Sequence, residues 1–581
     1  MISRELLPFA EVWLADFEFG AAPGERPVPR CLVAREYFTG TTIRLWEDEL
    51  SNRKRPPYAI GERALFVAYY ASAEAGCHLA LGWQTPINVL DLCVEFRNMT
   101  NGLELLSKGR SLLDALTHFG LDAMDAVEKE SMRALALRGG QYTATEKQEL
   151  IDYCESDVDA LEKLLPCMLP HINLQQALIR GRYMPAAARM EHEGVPIDVE
   201  SLTWLRSGLA GAKHALIRRV DMGYRVFDGD MFKRDRFVDW LSRNAIAWPL
   251  LSSGHPALDG DTFHQMARIY PAVAPLSALR ETLSDLRLAD LAVGSDGRNR
   301  TLLSAFGSKT SRNQPSNAKF IFGPKVWTRG LIKPPQGYGL AYVDFEQQEF
   351  GIAAALSGDE AMVAAYLSGD SYLAFAKQAG AVPDYATKES HKAVREQYKV
   401  GALGILYGME PQSLSIRLNR PLPYGVELLQ AHRRLYKRYW RWSDAAVDHG
   451  MLLGHLPTVF GWTLHTTRST KYLTLRNYPM QSNGAEMLRL ACIYTTEAGI
   501  RVCAPVHDAL LVLAPLNELD SVIAETQALM AKASSIVLGG FELRTEVKAV
   551  RYPERYQDPR GAELWATIWD LLERPRTTTG A

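Results

Sequence analysis

The spacing of hydrophobic residues changes most clearly between Leu340 and Asp359. Leu340 to Val343 is a short apolar run typical of a buried strand, and Asp344 stands where that strand should end. Apolar residues from Phe350 to Leu356 then recur at helical spacing. A carboxylate at the rim of a buried strand can hold a metal ion, but it can equally cap the following helix. This stretch alone leaves both roles open.

A strand pattern also opens the chain, from Glu11 to Phe19. Side chains alternate between the two faces of a strand, so Asp16 and Glu18 should project from the same face. Two adjacent carboxylates repel each other unless a cation lies between them. Apolar neighbours such as Trp13 and Phe17 favour a buried strand over a solvent-facing edge strand, and therefore favour a metal site.

The segment from Glu149 to Leu161 has the periodicity of a helix. Tyr153 and Asp157 are four residues apart, which places them on one helix face. A phenol and a carboxylate held together can ligate a metal and orient its water. Taken alone, an acidic helix of this kind is more often a solvated surface.

Another helical pattern carries Arg395, Lys399, Leu403 and Tyr407 at successive steps of four residues. The four side chains should form one stripe along the helix. Two cations at one end suit a triphosphate, and the apolar and aromatic end suits a base or a sugar. The alternative is a surface helix whose basic residues lie opposite its core stripe.

Near the C-terminus, two apolar runs between Val502 and Ala514 flank a turn that contains His507 and Asp508. The pattern predicts a hairpin of buried strands. An aspartate in such a turn is usually only a turn residue. Between these motifs, residues 199–290 have a mostly helical pattern with breaks near 248–260, and we place a domain boundary near residue 175.

The length, composition and charge of the chain limit the classes of protein to which it can belong. At 581 residues the chain should hold several domains, at roughly 100–200 residues each. A hydrophobic fraction of 47% and a net charge of −2 are ordinary for a soluble protein. Positive charge is concentrated from Gly297 to Lys333, where eight Lys or Arg and no acids occur. Hydroxyls, amides and cations there, including Thr310, Arg312 and Asn317, suit sugar–phosphate contacts. A second basic run, His432 to Arg441, is better explained as a solvated helix face.

Cysteine usage and the N-terminus indicate the compartment. The seven cysteines form no CxxC pair and are odd in number, which favours a reducing environment and argues against a zinc site. Acidic residues interrupt the first apolar segment, so it is not a signal peptide. No run approaches the ~18 apolar residues of a membrane helix. We therefore expect a soluble, cytoplasmic protein.

The N-terminal motifs together resemble the DEDD-type 3′–5′ exonuclease domain. Its first and third motifs are matched by Asp16-x-Glu18 and Tyr153-x-x-x-Asp157. The second motif is matched by Tyr70 to Glu74, with Tyr in place of the usual Asn and Glu in place of the usual Asp. Asp91 is the alternative third carboxylate. The resemblance implies an RNase H-like domain over residues 1–175 that hydrolyses a DNA 3′ end with two Mg²⁺ ions bound by these acids.

The second half of the chain resembles the family A DNA polymerases. The matching segments, in family order, are Thr310-Ser-Arg312, Asp344 to Glu349, Arg395-x3-Lys399-x7-Tyr407, Asn477-x-Pro-x-Gln481 and Val506-His507-Asp508. The resemblance implies an α/β right-hand polymerase over residues 176–581. The thumb would span about 190–300, the palm about 301–359 and 456–581, and the fingers about 360–455.

The resemblance also implies a role for each matched residue. Asp344 and Asp508 would hold two Mg²⁺ ions, with Mn²⁺ as an alternative, for phosphoryl transfer from a dNTP to a primer. Glu349 would exclude a 2′-hydroxyl under the sugar. The remaining nucleotide-binding residues would be Arg395, Lys399, Leu403 and Tyr407, and the DNA-binding residues Thr310, Arg312, Asn317, Asn477, Gln481 and His507.

Three positions depart from the family pattern. Leu403 stands where Phe or Tyr is usual, Ala509 follows the third-motif Asp in place of a frequent Glu, and Gly351 replaces a common Arg. These differences indicate a phage or prophage replicase, active in a bacterial or infected-cell cytoplasm. It would act as a monomer on primer–template DNA and dNTPs, with a helicase, clamp or single-strand-binding protein as candidate partners. The rival functions are a single-subunit RNA polymerase and a catalytically inactive DNA-binding replication protein.

Overall fold

The computed structural model describes residues 4–105, 109–122, 126–286, 288 and 290–573. The N-terminal elements are β1 (Glu11–Gly20), β2 (Val28–Glu36), β3 (Thr42–Trp46), α1 (Glu47–Ser51), β4 (Ala64–Ala68), α2 (Ser72–Ala80), β5 (Asn88–Asp91), α3 (Leu92–Thr100), α4 (Leu112–His118), α5 (Ala126–Arg138), α6 (Ala144–Met168) and α7 (Leu174–Glu193). The next are β6 (Val195–Pro196), α8 (Val199–Asp221), β7 (Phe227–Asp228), β8 (Met231–Phe232), α9 (Arg234–Arg243), α10 (Gly260–Ile269), α11 (Ala274–Asp285) and β9 (Arg298–Asn299).

The C-terminal half begins with a strand and continues mainly as helices. Its elements are β10 (Tyr338–Phe345), α12 (Gln348–Ser357), α13 (Glu360–Leu367), α14 (Ser371–Gln378), α15 (Lys392–Leu406), α16 (Pro411–Leu418), α17 (Leu422–Leu435), α18 (Lys437–Leu453), β11 (His455–Pro457), β12 (Thr463–His465), α19 (Tyr472–Glu497), β13 (Arg501–Val506), β14 (Ala509–Pro515), α20 (Leu519–Val537), β15 (Thr545–Arg551) and α21 (Ala562–Glu573). Short 3₁₀ helices occupy Leu169–His171, Pro271–Val273 and Val326–Leu331. In the described part of the chain, no helix has both the length and the apolar character needed to cross a membrane.

The chain divides into two compact units. The first comprises Met1–Gly194, Leu302–Pro315 and Gly337–Ala549, and the second comprises the remaining segments. The boundary that we predicted near residue 175 falls inside the first unit, just after α7 begins. The division into exonuclease, palm, fingers and thumb therefore remains a prediction.

The N-terminal region of the first unit is built on a mixed five-stranded sheet in the order β3-β2-β1-β4-β5. β1 lies at its centre, antiparallel to β2 and parallel to β4. Alternation along β1 sends Val12 and Leu14 to the core shared with α6, and Trp13 to the opposite face. This central position confirms that β1 is a buried strand and not an edge strand.

Helix α7 connects this sheet to the C-terminal half of the first unit. Tyr183 and Met184 on α7 share one continuous core with Trp13 of β1 and Val343 of β10. The approach is closest at Gly181, where a Cβ atom would lie 1.8 Å from the Val89 carbonyl oxygen. No larger residue could take this position without moving the helix away from β5.

A buried ion pair fixes the same junction. The Arg180 guanidinium on α7 forms two hydrogen bonds, of 2.7 and 2.6 Å, with the Glu95 carboxylate on α3. It also donates to the Phe460 carbonyl, which precedes β12, at 3.0 Å. Both charged side chains are almost fully buried, so each depends on the other for compensation of its charge.

The second sheet of the first unit has the order β13-β14-β10-β15. β13 and β14 form the predicted hairpin, with Val506 opposite Ala509. β10 runs antiparallel to β14, with Asp344 opposite Ala509. The segment predicted to be the fingers, about 360–455, consists of helices α13 to α18 and their connections.

The second unit has its own apolar core. Phe237 and Trp240 on α9 pack with Phe263 on α10, at ring-centroid distances of 6.1 Å between Phe237 and Trp240 and 5.4 Å between Phe237 and Phe263. The break between α9 and α10 contains the predicted interruption near 248–260. Over the described part of residues 199–290, the mostly helical pattern that we inferred is confirmed by α8 to α11, with the short β7–β8 hairpin between α8 and α9.

Candidate active site

Asp344 and Asp508 lie side by side at the end of the second sheet. Asp344 is the penultimate residue of β10, and Asp508 lies in the turn that joins β13 to β14. β10 pairs with β14 at this point, with Asp344 opposite Ala509. The Phe345 amide donates to the Asp508 carbonyl at 3.3 Å. Asp344 does not cap the following helix, because the N-cap position of α12 belongs to Gln347.

The environment of the pair disfavours two negative charges. Burial, followed by the charge of Asp508 and a hydrogen bond with it, raises the pKa of Asp344 to about 8. Burial and the charge of Glu349 raise the pKa of Asp508 to about 6. Within the described residues, the Asp344 Oδ1 atom is buried and has no hydrogen-bond partner. A cation between the carboxylates would remove the repulsion and satisfy this oxygen.

A cavity of about 790 Å³ opens above the pair and is lined by residues of β10, α12, α14 and α15. Its cations include Arg395 and Lys399, one helical turn apart on α15, as the sequence predicted. Arg395 donates to Asp370 Oδ2 at 2.7 Å and to Glu396 Oε1 at 2.5 Å. Lys399 has no ion pair within the described part of the chain, so one cation is held by protein carboxylates while the other remains open to a ligand.

Glu349 and Tyr407 meet on the same side of the cavity. The Tyr407 hydroxyl donates a hydrogen bond of 2.6 Å to Glu349 Oε1. Tyr407 is the residue directly after α15, which continues the stripe of Arg395, Lys399 and Leu403. Leu403 lines the cavity and is partly buried. The structure therefore brings all five predicted nucleotide-binding residues together.

The residues predicted to contact DNA fall into two groups. Asn477 donates from Nδ2 to the Tyr407 carbonyl at 3.0 Å, while its Oδ1 atom is buried without a partner in the described structure. A hydrogen bond with Gln481 and the charge of Arg312 both lower the otherwise raised pKa of Tyr407, so both residues lie near this phenol. Arg312 likewise acts on Asp508.

Of the other predicted contacts, His507 and Asn317 lie at exposed positions and Thr310 is partly buried. His507 is exposed at the hairpin turn, in the left-handed region with φ of 57°. The Thr310 hydroxyl bonds to the Ser308 hydroxyl at 3.1 Å within the Leu302–Pro315 segment. Asn317 is exposed and belongs to the second unit, so it lies outside the compact unit that holds this cluster.

Two departures from the family pattern have a local explanation. A Cβ atom at Gly351 would lie 2.5 Å from Leu543 Cδ2 and 3.0 Å from the Tyr366 ring. These two side chains occupy the space that an arginine would need. Ala509 is fully buried opposite Asp344, where a glutamate would add a further carboxylate to an already repulsive pair.

The N-terminal carboxylates form a second cluster. One oxygen each from Asp16, Glu18 and Asp157 lies within 4.8 Å of the others. Asp16 and Glu18 share the face of β1 that packs against α6, and Asp157 comes from α6. The sequence spacing predicted that Asp16 and Glu18 share one strand face and, separately, that Asp157 lies on one helix face with Tyr153. Three oxygen donors at this separation suit a hard divalent cation.

Glu74, and not Asp91, is the fourth carboxylate facing this cluster. Burial and the charges of Asp16 and Glu18 raise the pKa of Glu74 well above its usual range, and its Oε2 atom is buried without a partner in the described structure. Asp91 instead caps α3 through Val94 and accepts hydrogen bonds from the Tyr70 and Ala71 amides. These backbone contacts occupy both Asp91 oxygens.

The Tyr153 phenol lies against the same cluster. Burial and then the negative charges of Asp157, Glu18 and Asp16 raise its pKa far above the usual value. Tyr153 therefore stays protonated and can donate a hydrogen bond. The Cys154 thiol donates to Asp16 Oδ2 at 3.3 Å, a contact that no motif in the sequence indicated.

Two residues of the cavity above Asp344 and Asp508 were not predicted from the sequence. Glu546 on β15 lines the cavity and adds to the negative charge at Asp344. Asp370 holds Arg395 and also caps α14 through the Leu373 amide. The position of Asp370 before α14 predicts only a cap, and Glu546 lies in an exposed strand pattern with no motif.

The C-terminal half is similar in sequence to known DNA polymerases. The sequence profile of DNA polymerase family A matches residues 321–551. The thermostable DNA polymerase I of Thermus thermophilus is 28% identical over 377 residues, which cover 60% of this chain and 44% of that protein. The DNA polymerase of Mycobacterium phage D29 is 26% identical over 251 residues, covering 42% of this chain and 40% of the phage protein. The chain thus spans less than half the length of these relatives.

A solved structure shares the fold over nearly the whole chain. It is described as the POL domain of Pol1 from M. smegmatis in complex with DNA primer-template and dNTP. The TM-score is 0.67 at 18% identity, and the match covers 92% of this chain and 94% of that one. The predicted α/β fold class is confirmed by this similarity. Residues 321–551 thus carry the sequence similarity to DNA polymerase family A, and the fold similarity extends over nearly the whole chain.

Proposed function

We propose that this protein is a template-directed DNA polymerase that adds dNTPs to a primer 3′ end and removes mismatched 3′ nucleotides at its N-terminal carboxylate cluster. One observation carries the proposal. The buried Asp344 Oδ1, which has no hydrogen-bond partner among the described residues, lies beside Asp508 at a cavity that is also lined by Arg395 and Lys399. Metal-binding acids that face triphosphate-binding cations are what nucleotidyl transfer requires.

The residues of the cavity suit a two-Mg²⁺ site, with Mn²⁺ as an alternative ion. Asp344 and Asp508 would hold the cations, whose chemistry is to lower the pKa of the attacking hydroxyl and neutralise charge on the phosphates. Their raised pKa values are those of carboxyls that need a cation to ionise together at neutral pH. The two acids would thereby fix where the primer end and the triphosphate meet.

The protein's own side chains would orient the nucleotide. Lys399 offers a compact charge to a phosphate, and Arg395 offers a planar fork once it leaves Asp370. Glu349, held by Tyr407, would stand where a 2′-hydroxyl would approach, which favours dNTPs over rNTPs. Leu403 would pack against the sugar or base. Arg312, Asn477, Gln481, His507 and Thr310 would contact primer or template. Asn317, which belongs to the second unit, stays a predicted DNA contact.

The N-terminal cluster would perform the hydrolytic reaction. Asp16, Glu18 and Asp157 would hold Mg²⁺, with Glu74 completing the acidic site. Tyr153 would donate a hydrogen bond to the attacking water or to the departing phosphate. The residues fit an exonuclease that uses the same type of metal-assisted chemistry as the larger cavity.

Primer extension tests both reactions together. With Mg²⁺ and dNTPs, we expect extension of a matched primer and removal of a 3′ mismatch by the wild-type protein. Asp344→Ala should lose extension and keep 3′ hydrolysis, and Asp16→Ala should show the opposite pattern. Each variant is the control for the other, because each should retain one activity. Equal extension by wild type and Asp344→Ala would contradict the assignment of the site.

The same assay separates the rival functions. Equal use of rNTPs and dNTPs would indicate a single-subunit RNA polymerase, and primer binding without either reaction would indicate an inactive DNA-binding protein. We place the protein in phage or prophage DNA replication in a bacterial cytoplasm, supported by its similarity to a phage DNA polymerase. A helicase, clamp or single-strand-binding protein would be its candidate partners.

A further inference from the structure

A second cavity of about 440 Å³ lies in the first unit, away from both carboxylate clusters. Arg97 on α3 and Arg110 line one wall, and Lys309 from the Leu302–Pro315 segment lines the other. Asn101, Ser308 and Gln314 add hydrogen-bonding groups, and no acidic residue among those described lines the cavity. Such a lining is suited to an anion.

The cations of this cavity, Arg97, Arg110 and Lys309, form no direct ion pairs in the described structure, although the charges of Asp91 and Asp114 act on Arg97 and Arg110 respectively. The guanidinium of Arg97 donates to the Ala305 carbonyl at 2.7 Å and lies over the Tyr70 ring. Burial lowers the pKa of Arg110, Asp114 partly offsets this effect, and the charge of Arg97 adds to it. Two neighbouring guanidinium groups would be relieved of their repulsion by a bound anion.

The wall that carries Lys309 is a strained and tightly anchored loop. Ser304, Phe306 and Ser311 all have positive φ, of 50°, 54° and 61°, a region that is unfavourable for residues other than glycine. The Lys309 carbonyl accepts hydrogen bonds from Asn101 Nδ2 at 2.8 Å and Trp462 Nε1 at 3.1 Å. The backbone is therefore fixed, while the Lys309 side chain is exposed at the cavity.

The aromatic residues of the cavity are not available to stack on bases. Phe306 and Trp462 are buried and stack on each other at 5.2 Å, and the Arg489 guanidinium lies 4.4 Å from the Phe306 ring. Nucleic-acid sites that use base stacking need an open ring face. This cavity should therefore bind a sugar–phosphate backbone without regard to sequence.

The walls of the cavity connect to both carboxylate clusters. Arg312, three residues beyond Lys309, acts on the pKa of Asp508. On the opposite side, Arg97 contacts Tyr70, which shortly precedes the helix that carries Glu74. The cations of the cavity therefore lie on segments whose neighbouring residues belong to or act on each cluster.

We infer that the cavity of Arg97, Arg110 and Lys309 binds the phosphodiester backbone of a single DNA strand. The inference rests on the proposed function, in which one strand supplies the 3′ end for both reactions. The site would hold that strand when it is unpaired from its template.

The test measures the binding of a fluorescent oligo-dT of about 12 nucleotides by fluorescence anisotropy. EDTA is present to remove divalent metal ions, so that neither reaction takes place. Affinity should be measured between about 50 and 200 mM salt, because the slope of log affinity against log salt reports the number of phosphate contacts. For Arg110→Ala/Lys309→Ala we expect about tenfold weaker binding and a slope reduced by about 1.4, the value for two lost contacts on a single strand.

A charge-matched control removes two cations elsewhere in the same unit. Arg182, which pairs with Glu497, and the exposed Lys532 on α20 line neither this cavity nor the larger one above Asp344. Arg182→Ala/Lys532→Ala should keep the wild-type slope. If the Arg110 variant unfolds, Lys309→Ala alone should lower the slope by about 0.7. Equal slopes for wild type and the cavity variants would overturn the inference.

Two further measurements are needed. The first distinguishes a DNA strand from a free phosphate as the ligand of the cavity, and the second tests the proposed function independently of this inference. Pyrophosphate should displace the oligonucleotide only as far as its ionic strength predicts, and stoichiometric displacement would make a free phosphate the ligand and overturn the strand assignment. Primer extension by the wild type tests the proposed function separately. A protein that binds the oligonucleotide through these cations but extends no primer would contradict the function alone.

Discussion

The Tyr407 hydroxyl donates a 2.6 Å hydrogen bond to Glu349 Oε1, linking the residue that follows α15 to the first turn of α12. This bond fixes the carboxylate that we propose as the barrier to a 2′-hydroxyl. A hydrogen bond to a charged group contributes about 1.5–3 kcal/mol, so its loss should have a measurable effect on the choice of sugar.

Tyr407→Phe tests this relationship. We expect the ratio of dNTP to rNTP incorporation, measured as kcat/KM for each, to fall by about tenfold because Glu349 is no longer held. Glu349→Ala should lower the ratio further by removing the barrier itself. If Tyr407→Phe left the ratio unchanged while Glu349→Ala lowered it, the hydrogen bond would have no part in discrimination.

The ion pair between Arg395 and Asp370 predicts competition with the nucleotide. Asp370→Asn should keep the cap on α14, because an amide oxygen still accepts the Leu373 hydrogen bond, and should remove one of the two carboxylates that hold Arg395. We expect KM for dNTPs to fall about threefold to fivefold at unchanged kcat, consistent with the weak energy of a partly exposed pair.

The matched control for this measurement is Glu360→Gln, which breaks an exposed pair with Arg438 outside the cavity. This variant should leave KM at the wild-type value. A rise in KM for Asp370→Asn would mean that Asp370 positions Arg395 for the nucleotide and does not compete with it.

Glu74 and Asp91 should respond differently to removal of their charge. Glu74→Gln should lower 3′ hydrolysis at least about a hundredfold without loss of stability, because a metal-site carboxylate supplies several kcal/mol to the transition state. Asp91→Asn should keep hydrolysis and lower the free energy of unfolding by about 1 kcal/mol, as expected for a weakened helix cap. Hydrolysis rates and urea unfolding curves for both variants would check this, and the reverse pattern would make Asp91 the metal ligand.

Glu191 on α7 should make the stability of the first unit depend on pH. Burial raises the pKa of Glu191 to about 8, against about 4.3 in an unfolded chain. Its stabilising contribution is complete below pH 4 and is lost as the pH rises through 8, because the folded state binds the proton more tightly.

We therefore expect Glu191→Gln to be more stable than wild type at pH 9, with the difference disappearing near pH 4. Because Glu191 keeps some accessible surface, the difference should be of the order of 1–3 kcal/mol. Thermal unfolding of both proteins across this range gives the comparison. Parallel pH profiles would show that Glu191 is already ionised in the folded protein.

Local patterns were sufficient to predict the parts of each candidate site. The period of two along β1 placed Asp16 and Glu18 on one face, and the period of four along α6 placed Tyr153 beside Asp157. The motifs could not show that α6 covers that face of β1, because packing between distant segments leaves no local signal.

The same limit applies to residues that act through tertiary contacts. Asp370 has the sequence context of a helix cap, and only the fold places Arg395 against it. The choice between Glu74 and Asp91 was equally open, since both are single acids near a strand end. The fold decides between them, because the backbone amides of Tyr70 and Ala71 donate hydrogen bonds to the Asp91 carboxylate.

The buried pair between Arg180 and Glu95 has a practical consequence for engineering. A fragment that begins near residue 176, intended as a polymerase without its nuclease, would keep Arg180 but lose Glu95 and the strand against which Gly181 packs. An uncompensated buried charge costs about 3–5 kcal/mol, a large part of the stability of a typical domain. To separate the proposed synthesis from the proposed 3′ hydrolysis, substitution at Asp16 is therefore a better route than truncation.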